Sequence, residues 1–236
     1  MDKDEIYQTL LDGLGRYLDN PLIRAVHRTV RRYPVPALAY AFNKNQMASK
    51  GWLVRELLLA NGPDLGIVHI MGGWYGVLAA LLLHDRRFTI QHIISMDIDP
   101  DCIEPAMLLN EPHVHSGKFS TLTCDVTQLN YTQLNHTGNS IGNTIGDADP
   151  GKGHEIPDVV INTSCEHLQH FSTWLQAMPS QALLVLQSND YFSCDEHVNC
   201  VPSLQAFEQQ AGLGSVLYAG ELPRKRYTRY MLIGRR

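Results

Sequence analysis

The stretch that decides the fold is Ile67-Val68-His69-Ile70-Met71-Gly72-Gly73-Trp74-Tyr75-Gly76, followed directly by the apolar run 77–83. Short apolar runs bounded by glycine are typical of buried strands, and longer runs with helical periodicity are typical of helices. We therefore predict a strand over 67–71, a glycine turn over 72–76 and a helix over 77–84. A strand, a tight turn and a helix in this order form the first half of a βαβ unit.

The same succession of apolar strand, turn and helix repeats toward the C-terminus. Further strands are predicted at 90–96, 119–124, 158–162, 183–187, 216–219 and 230–234, with a helix at about 101–110. Strands that alternate with helices form a parallel sheet with right-handed crossovers, whose ligands bind at the carboxyl ends of the strands. We expect an α/β fold with a mostly parallel seven-stranded sheet, closed by an antiparallel C-terminal hairpin.

The segment before this sheet is predicted to be helical. Apolar residues recur at helical spacing near both of its ends, and Tyr33-Pro34-Val35-Pro36 interrupts it because proline disfavours helical geometry in the preceding residue. We predict a helical cap over 1–60 and one compact ligand-binding unit over 61–236. Residues 135–157 lack an apolar period and are predicted to form a long loop, either a lid over the site or a passive connection.

Composition excludes several classes of protein. The chain has 236 residues and a formal net charge of -5, which argues against sequence-independent binding to nucleic acid. The basic runs 24–32 and 224–236 are each interpreted as a solvated helix face or a chain end. The longest apolar run is too short to cross a bilayer, and five cysteines without paired spacing indicate reduced thiols. We expect a cytoplasmic protein that acts on a small molecule, with a homo-oligomer left open.

The residues after the first three strands suggest a nucleoside site. Glycines at 72, 73 and 76 let the backbone turn sharply and approach a ligand closely. About twenty residues later, Asp97 and Asp99 end the second strand, where a carboxylate can accept hydrogen bonds from ribose hydroxyls. Asp99 is also placed to cap the helix that follows. Asp125 ends the third strand, where it can meet the amino group of adenine.

These positions resemble those of the class I S-adenosylmethionine (SAM)-dependent methyltransferases, a family with a Rossmann-like fold. The resemblance covers about residue 66 to the C-terminus, closing hairpin included, and implies SAM as methyl donor or substrate. The cofactor-binding residues that it implies are Gly72, Gly73, Trp74, Tyr75, Gly76, Asp97, Ile98, Asp99, Asp125, Val126 and Asn162. One position departs from the family pattern, because the first strand carries His69 and Ile70 where the family has an acid near the methionine amine.

Polar residues also follow the fourth and fifth strands. The candidate catalytic residues are Asn162, Ser164, Glu166, His167 and Tyr191, with Tyr33 and Tyr40 on the helical cap as further candidates. Each also has a plain structural interpretation, such as a helix cap, an exposed side chain or a packed ring. Two clusters, 165–167 and 194–200, contain Cys and His but lack paired zinc spacing, so we expect no metal.

The strings GGWYG, MDIDP, NTSCEHL, LQSND and EHVNC further resemble the SAM cyclases that make azetidine-2-carboxylate. This resemblance implies attack of the methionine amine on its own γ-carbon, with methylthioadenosine as leaving group. The missing first-strand acid is compatible with an amine that must lose its proton. We predict this cyclisation, for secondary metabolism, as the specific reaction. The alternatives are methyl transfer to a small-molecule acceptor and a non-catalytic SAM sensor.

Overall fold

One seven-stranded sheet organises the chain. The computed structural model describes residues 3–18, 20–34, 36–129, 131 and 156–236. The strand order is β3-β2-β1-β4-β5-β7-β6; β1 to β5 are parallel, and β7 is antiparallel to both of its neighbours. The strands are β1 (Asp64–Met71), β2 (Thr89–Asp97), β3 (Phe119–Thr123), β4 (Val159–Asn162), β5 (Leu183–Asn189), β6 (Ser215–Pro223) and β7 (Thr228–Arg235). The predicted α/β fold with an antiparallel closing hairpin is confirmed.

Helices precede the sheet and cover both of its faces. They are α1 (Lys3–Tyr17), α2 (Pro21–Arg32), α3 (Pro36–Ala41), α4 (Lys44–Asn61), α5 (Val77–His84), α6 (Ile103–Leu109), α7 (Glu111–His115), α8 (Phe171–Ala177) and α9 (Leu204–Ala211). Asparagine side chains start two of them, because the Asn20 and Asn43 oxygens each accept hydrogen bonds from two first-turn amides. Among the residues that the structure describes, no helix is both long and apolar enough to cross a bilayer.

Neighbouring residues of the central strands face opposite layers of the core. In β1, Ile70 packs in the layer that holds α4 and α5, whereas Met71 packs in the layer that holds α8 and α9. In β4, Ile161 packs in the layer of α4 and α5, and Val160 packs in the layer of α8 and α9. Alternation of side chains along a strand, with both faces covered, explains why these strands are mostly apolar. The carboxyl ends of β1 to β5 therefore form one edge between two packed layers.

The N-terminal helices differ in how they pack. Leu53 and Leu57 of α4 are fully buried in the layer beside the sheet, so α4 is part of the main core. By contrast, Ile6, Leu10 and Leu14 of α1 lie on its surface, with 39%, 56% and 48% of each exposed. The spacing of these residues correctly predicted a helix, but this face of the helix is not buried. The division at residue 60 stays a prediction, and the predicted loop 135–157 lies outside the described residues except for positions 156 and 157.

Candidate functional site

A cavity of about 780 Å³ opens at the carboxyl edge of the sheet. Small-molecule sites commonly measure roughly 300–1,000 Å³, so the volume suits a nucleoside-sized ligand together with a small second group. Each of the five parallel strands contributes residues at or just after its end. These residues are Ile70, Met71, Asp97, Cys124, Asp125, Asn162 and Asn189. The cavity therefore lies where ligands commonly bind in parallel sheets, at the carboxyl ends of the strands.

The glycine turn after β1 has a backbone conformation that most residues avoid. Gly72 and Gly76 have φ angles of 63° and 70°, and Trp74, at 49°, is left-handed without being glycine. A Cβ atom on Gly76 would also lie 2.8 Å from Asn110 Nδ2. Left-handed geometry costs a residue with a side chain roughly 1–2 kcal/mol, so something must hold Trp74 in place.

Asp97 holds this turn. Its Oδ2 accepts a hydrogen bond from the Trp74 amide at 2.7 Å, and its Oδ1 accepts one from the Asp99 amide at 3.1 Å. The Asp97 side chain is half-buried and lines the cavity. Each carboxylate oxygen can accept more than one hydrogen bond, so Asp97 retains the capacity to bind a ligand while it fixes the loop.

Asp99 lies differently, although it is only two residues away. Its Oδ1 accepts a hydrogen bond from the Asp101 amide at 2.9 Å, which caps the short helical turn Pro100–Cys102. Asp99 is exposed and is not among the residues that line the cavity. The sequence predicted a shared role for the two acids, and the structure places Asp97 and Ile98 at the cavity but not Asp99.

Asp125 borders the cavity after β3, together with Val126. Its Oδ1 accepts hydrogen bonds from the Thr127 hydroxyl at 2.7 Å and from the Thr127 amide at 2.9 Å. The hydrogen bond from the Thr127 hydroxyl lowers the pKa of Asp125 below its ordinary value, and the amide lowers it further. Asp125 is therefore a carboxylate at neutral pH, available as a hydrogen-bond acceptor.

The opposite end of the cavity contains a buried ion pair. Glu166 is 2% exposed, and its Oε1 accepts hydrogen bonds from Asn189 Nδ2 at 2.6 Å and from Arg229 Nη2 at 3.2 Å. Arg229 also donates to the Thr163 carbonyl at 2.8 Å. Asn162 is buried at the end of β4, where its Oδ1 accepts from the Ser164 amide at 2.8 Å. The polar residues after β4 and β5 are thus fixed by one another.

Four rings form a group at this end of the cavity. The rings of His167 and His197 meet edge to face with centroids 4.8 Å apart, and the Tyr191 ring lies 5.8 Å from His197. Tyr191 also packs against Tyr227, with a centroid distance of 5.6 Å. All four side chains line the cavity, which gives this end an aromatic wall.

Several cavity residues were missed by the sequence analysis. Lys50 of α4 lines the cavity, and burial, reinforced by repulsion from Arg229, lowers its pKa to about 8. Lys50 precedes Leu53, Val54 and Leu57 by three, four and seven residues, so its place on the buried face of α4 could have been predicted from helical spacing. Arg229 belongs to a run that was interpreted as a solvated helix face or a chain end, which was wrong for this residue because it is 8% exposed and faces Glu166.

The two tyrosines proposed on the helical cap lie elsewhere. The Tyr33 hydroxyl donates a hydrogen bond to Glu104 Oε2 at 2.6 Å, and Tyr40 is 64% exposed. Neither lines the cavity, so their proposed part in catalysis is not supported. The other predicted residues at the cavity are Gly72, Gly73, Trp74, Tyr75, Asp97, Ile98, Asp125, Val126, Asn162, Ser164, Glu166, His167 and Tyr191. Gly76 supports the loop without bordering the cavity.

Comparisons with known proteins support the fold. No protein-family profile matches the chain, and no curated protein matches its sequence. Solved structures do match. The N-methyltransferase NodS from Bradyrhizobium japonicum, in complex with S-adenosyl-L-homocysteine, is 11% identical, with a TM-score of 0.56 over 89% of this chain and 98% of its own.

Two further methyltransferases with bound SAM resemble the chain along its whole length. The O-methyltransferase TomG from Streptomyces achromogenes, involved in tomaymycin synthesis, is 15% identical, with a TM-score of 0.55 over 100% of this chain and 99% of its own. Magnesium protoporphyrin IX methyltransferase from Synechocystis is 16% identical, with a TM-score of 0.51 over 100% and 98%. At these identities the likeness establishes the Rossmann-like methyltransferase fold.

Proposed function

We propose that this chain is a SAM-dependent enzyme that transfers a methyl group to a small-molecule acceptor bound in the same cavity. The observation that carries the proposal is Asp97, which joins a left-handed glycine loop to the end of β2 and lines the cavity. A carboxylate in this position suits the two ribose hydroxyls of a nucleoside. The structurally similar methyltransferases with SAM or its demethylated product support the same ligand.

The charges of the cavity fit the two ends of SAM. Asp97 and Asp125 would hold the adenosine end, where ribose hydroxyls and the adenine amino group are donors. The zwitterionic methionine end would lie at the other end, beside Lys50 and the ion pair of Glu166 and Arg229. Bound SAM would supply a sulfonium whose methyl carbon is electrophilic, and the aromatic face of Tyr191 would stabilise that cation by about 0.5–2 kcal/mol.

Lys50 is the residue best suited to take a proton in this site. With its pKa lowered to about 8, roughly a tenth of its side chain is a neutral amine at pH 7, far more than at the ordinary pKa of 10.5. In the structure, Lys50 Nζ donates a hydrogen bond to Gln46 Oε1 at 2.5 Å, which holds the amine at the cavity wall. We propose that Lys50 accepts the proton that an acceptor hydroxyl or amine loses during methyl transfer.

Cyclisation of SAM to azetidine-2-carboxylate is the second candidate, and the floor of the cavity favours it. Ile70 of β1 lines the cavity and is 2% exposed, so the strand offers an apolar side chain where an acid would hold the methionine amine as a cation. In this reaction the amine nitrogen bonds to the γ-carbon as the carbon–sulfur bond breaks, and methylthioadenosine leaves. The proton released from the nitrogen would pass to Lys50.

Incubation of the purified chain with SAM alone separates the two reactions. A methyltransferase leaves SAM unchanged until an acceptor is added and then forms S-adenosylhomocysteine. A cyclase forms methylthioadenosine and azetidine-2-carboxylate in equal amounts, which mass spectrometry detects against a no-enzyme control. If neither SAM nor S-adenosylhomocysteine binds in a calorimetric titration, methyl transfer and cyclisation are both refuted.

Replacement of Tyr191 tests the aromatic wall. We expect Tyr191→Ala to lower turnover more than SAM affinity, because a ring that positions the acceptor against the methyl carbon acts on the reaction geometry, whereas a cation–π contact alone would act mainly on SAM binding. Phe192→Ala is the matched control, since Phe192 is the adjacent aromatic residue and is 61% exposed. Equal losses of turnover and affinity in Tyr191→Ala would make Tyr191 a packing residue.

A further inference from the structure

Three potential metal ligands meet at the end of the cavity that contains the ion pair of Glu166 and Arg229. Glu166 and His167 follow β4, whereas His197 follows β5. One ligand atom from each of these side chains lies within 4.8 Å of the other two. The residues belong to the segments 165–167 and 194–200, in which sequence spacing alone predicted no metal. Folding, rather than spacing, brings them together.

The buried carboxylate has an oxygen that the protein leaves unpaired. Glu166 Oε1 is occupied by Asn189 and Arg229, whereas Oε2 is fully buried and has no hydrogen-bond partner among the described residues. A buried acceptor without a partner costs roughly 1–3 kcal/mol, so a native site normally supplies one. A cation bound to Oε2 would remove this cost.

Both histidines are oriented by backbone carbonyls. His167 Nδ1 lies 3.0 Å from the Glu196 oxygen, and His197 Nδ1 lies 3.1 Å from the Tyr191 oxygen. A carbonyl oxygen only accepts, so Nδ1 donates in each ring and Nε2 is left as the nitrogen that can bind a metal ion. Histidines that bind metals are held in this way, and carboxylate ligands are also held by hydrogen bonds from a surrounding shell. Glu166 meets the second condition through Asn189.

From this arrangement we infer that Glu166, His167 and His197 bind a divalent first-row transition ion, such as Zn²⁺. Two imidazoles and one carboxylate suit such an ion better than Mg²⁺ or Ca²⁺, which prefer oxygen ligands. All three residues border the cavity, so an ion that they held would be accessible from the space where an acceptor would bind. The occupancy of this site is independent of the proposed function, but its use in orienting an acceptor oxygen rests on that function.

Zinc titration of the purified, metal-stripped chain without SAM tests the site. We expect one Zn²⁺ per chain by calorimetry, and an affinity weakened by more than about 100-fold in His167→Ala and in His197→Ala, since even outer-shell substitutions cost roughly 10–100-fold. His115→Ala is the matched control, because His115 is exposed and does not line the cavity. It should bind Zn²⁺ like the unaltered chain.

X-ray absorption at the zinc edge tests the ligand set. We expect nitrogen and oxygen scatterers at about 2.0–2.2 Å and no sulfur at about 2.3 Å. A sulfur shell would assign the ion to the nearby cysteines and overturn the proposal, as would unaltered zinc affinity in both histidine variants or no saturable uptake at all. S-adenosylhomocysteine binding, measured on the same samples, serves as the fold control. The same measurement distinguishes failure of the metal site from failure of the proposed SAM-dependent function. A chain that binds zinc but not S-adenosylhomocysteine would contradict only the function, and a chain that binds S-adenosylhomocysteine but not zinc would contradict only the metal site.

Discussion

Conversion of Asp97 to Asn is the sharpest test of the proposed nucleoside site. The two carboxylate oxygens of Asp97 accept the amides of Trp74 and Asp99 at 2.7 and 3.1 Å. Asparagine retains one of these oxygens and replaces the other with an NH₂ group, which cannot accept an amide hydrogen. One charge-assisted bond is therefore lost, together with the charge that would face the ribose hydroxyls.

The expected loss follows from the energy of such a bond. Hydrogen bonds to charged groups contribute roughly 1.5–3 kcal/mol, and each 1.4 kcal/mol is a tenfold change in Kd. We expect Asp97→Asn to weaken S-adenosylhomocysteine binding by about 10- to 150-fold, as measured by isothermal titration calorimetry. The Trp74 amide contributes to this loss because the left-handed loop relaxes once it is released.

Asp99→Asn is a control with the same change of charge two residues away. Asn caps helices about as well as Asp, and Asp99 does not line the cavity. We expect its Kd to stay within about threefold of the unaltered chain, because surface substitutions change energies by roughly 0.5 kcal/mol. Equal losses in the two variants, or a larger loss in Asp99→Asn, would refute the assignment of Asp97 to the ribose.

Three further predictions concern stability. Gly76→Ala should lower the free energy of unfolding more than Gly117→Ala. Both glycines have φ near 70°, but only a Cβ atom on Gly76 would meet neighbouring atoms. Equal losses in chemical denaturation would contradict this steric argument. The pKa of Lys50 is about 8 in the folded state and 10.5 as its ordinary value, so the unfolded side chain binds more protons between these values and Lys50 contributes a rise of stability with pH there of roughly 3 kcal/mol. The raised pKa values of buried thiols such as Cys102 and Cys124 oppose this rise, so it is measured as the difference between the unaltered chain and Lys50→Met. Lys50→Met should abolish this rise in pH-dependent urea unfolding, and an unchanged profile would exclude Lys50 as its source. Glu166→Ala should cost about 3–5 kcal/mol in urea unfolding because it leaves the charge of Arg229 buried without its counter-ion, and a loss below about 1 kcal/mol would show that the pair contributes little.

Local sequence determined much of this molecule. The stretch 67–84 specified a strand, a turn and a helix, because apolar runs, glycines and helical spacing act within a few residues of one another. Alternation of strands and helices then implied a parallel sheet, and that topology implied a ligand site at the carboxyl edge. Asp97, Asp125, Asn162 and Tyr191 could be placed at the cavity on this basis alone.

Tertiary structure decided what these local patterns leave open. Strand β7 inserts between β5 and β6, which sets Arg229 opposite Asn189 and within reach of Glu166, 63 residues earlier in the chain. His197 meets His167 across two separate loops in the same way. Asp97 and Asp99 have the same side chain two residues apart, and only the direction of the chain after β2 separates their roles. Spacing within a segment fixes its secondary structure, whereas contacts between segments depend on strand pairing and packing that only the folded chain provides.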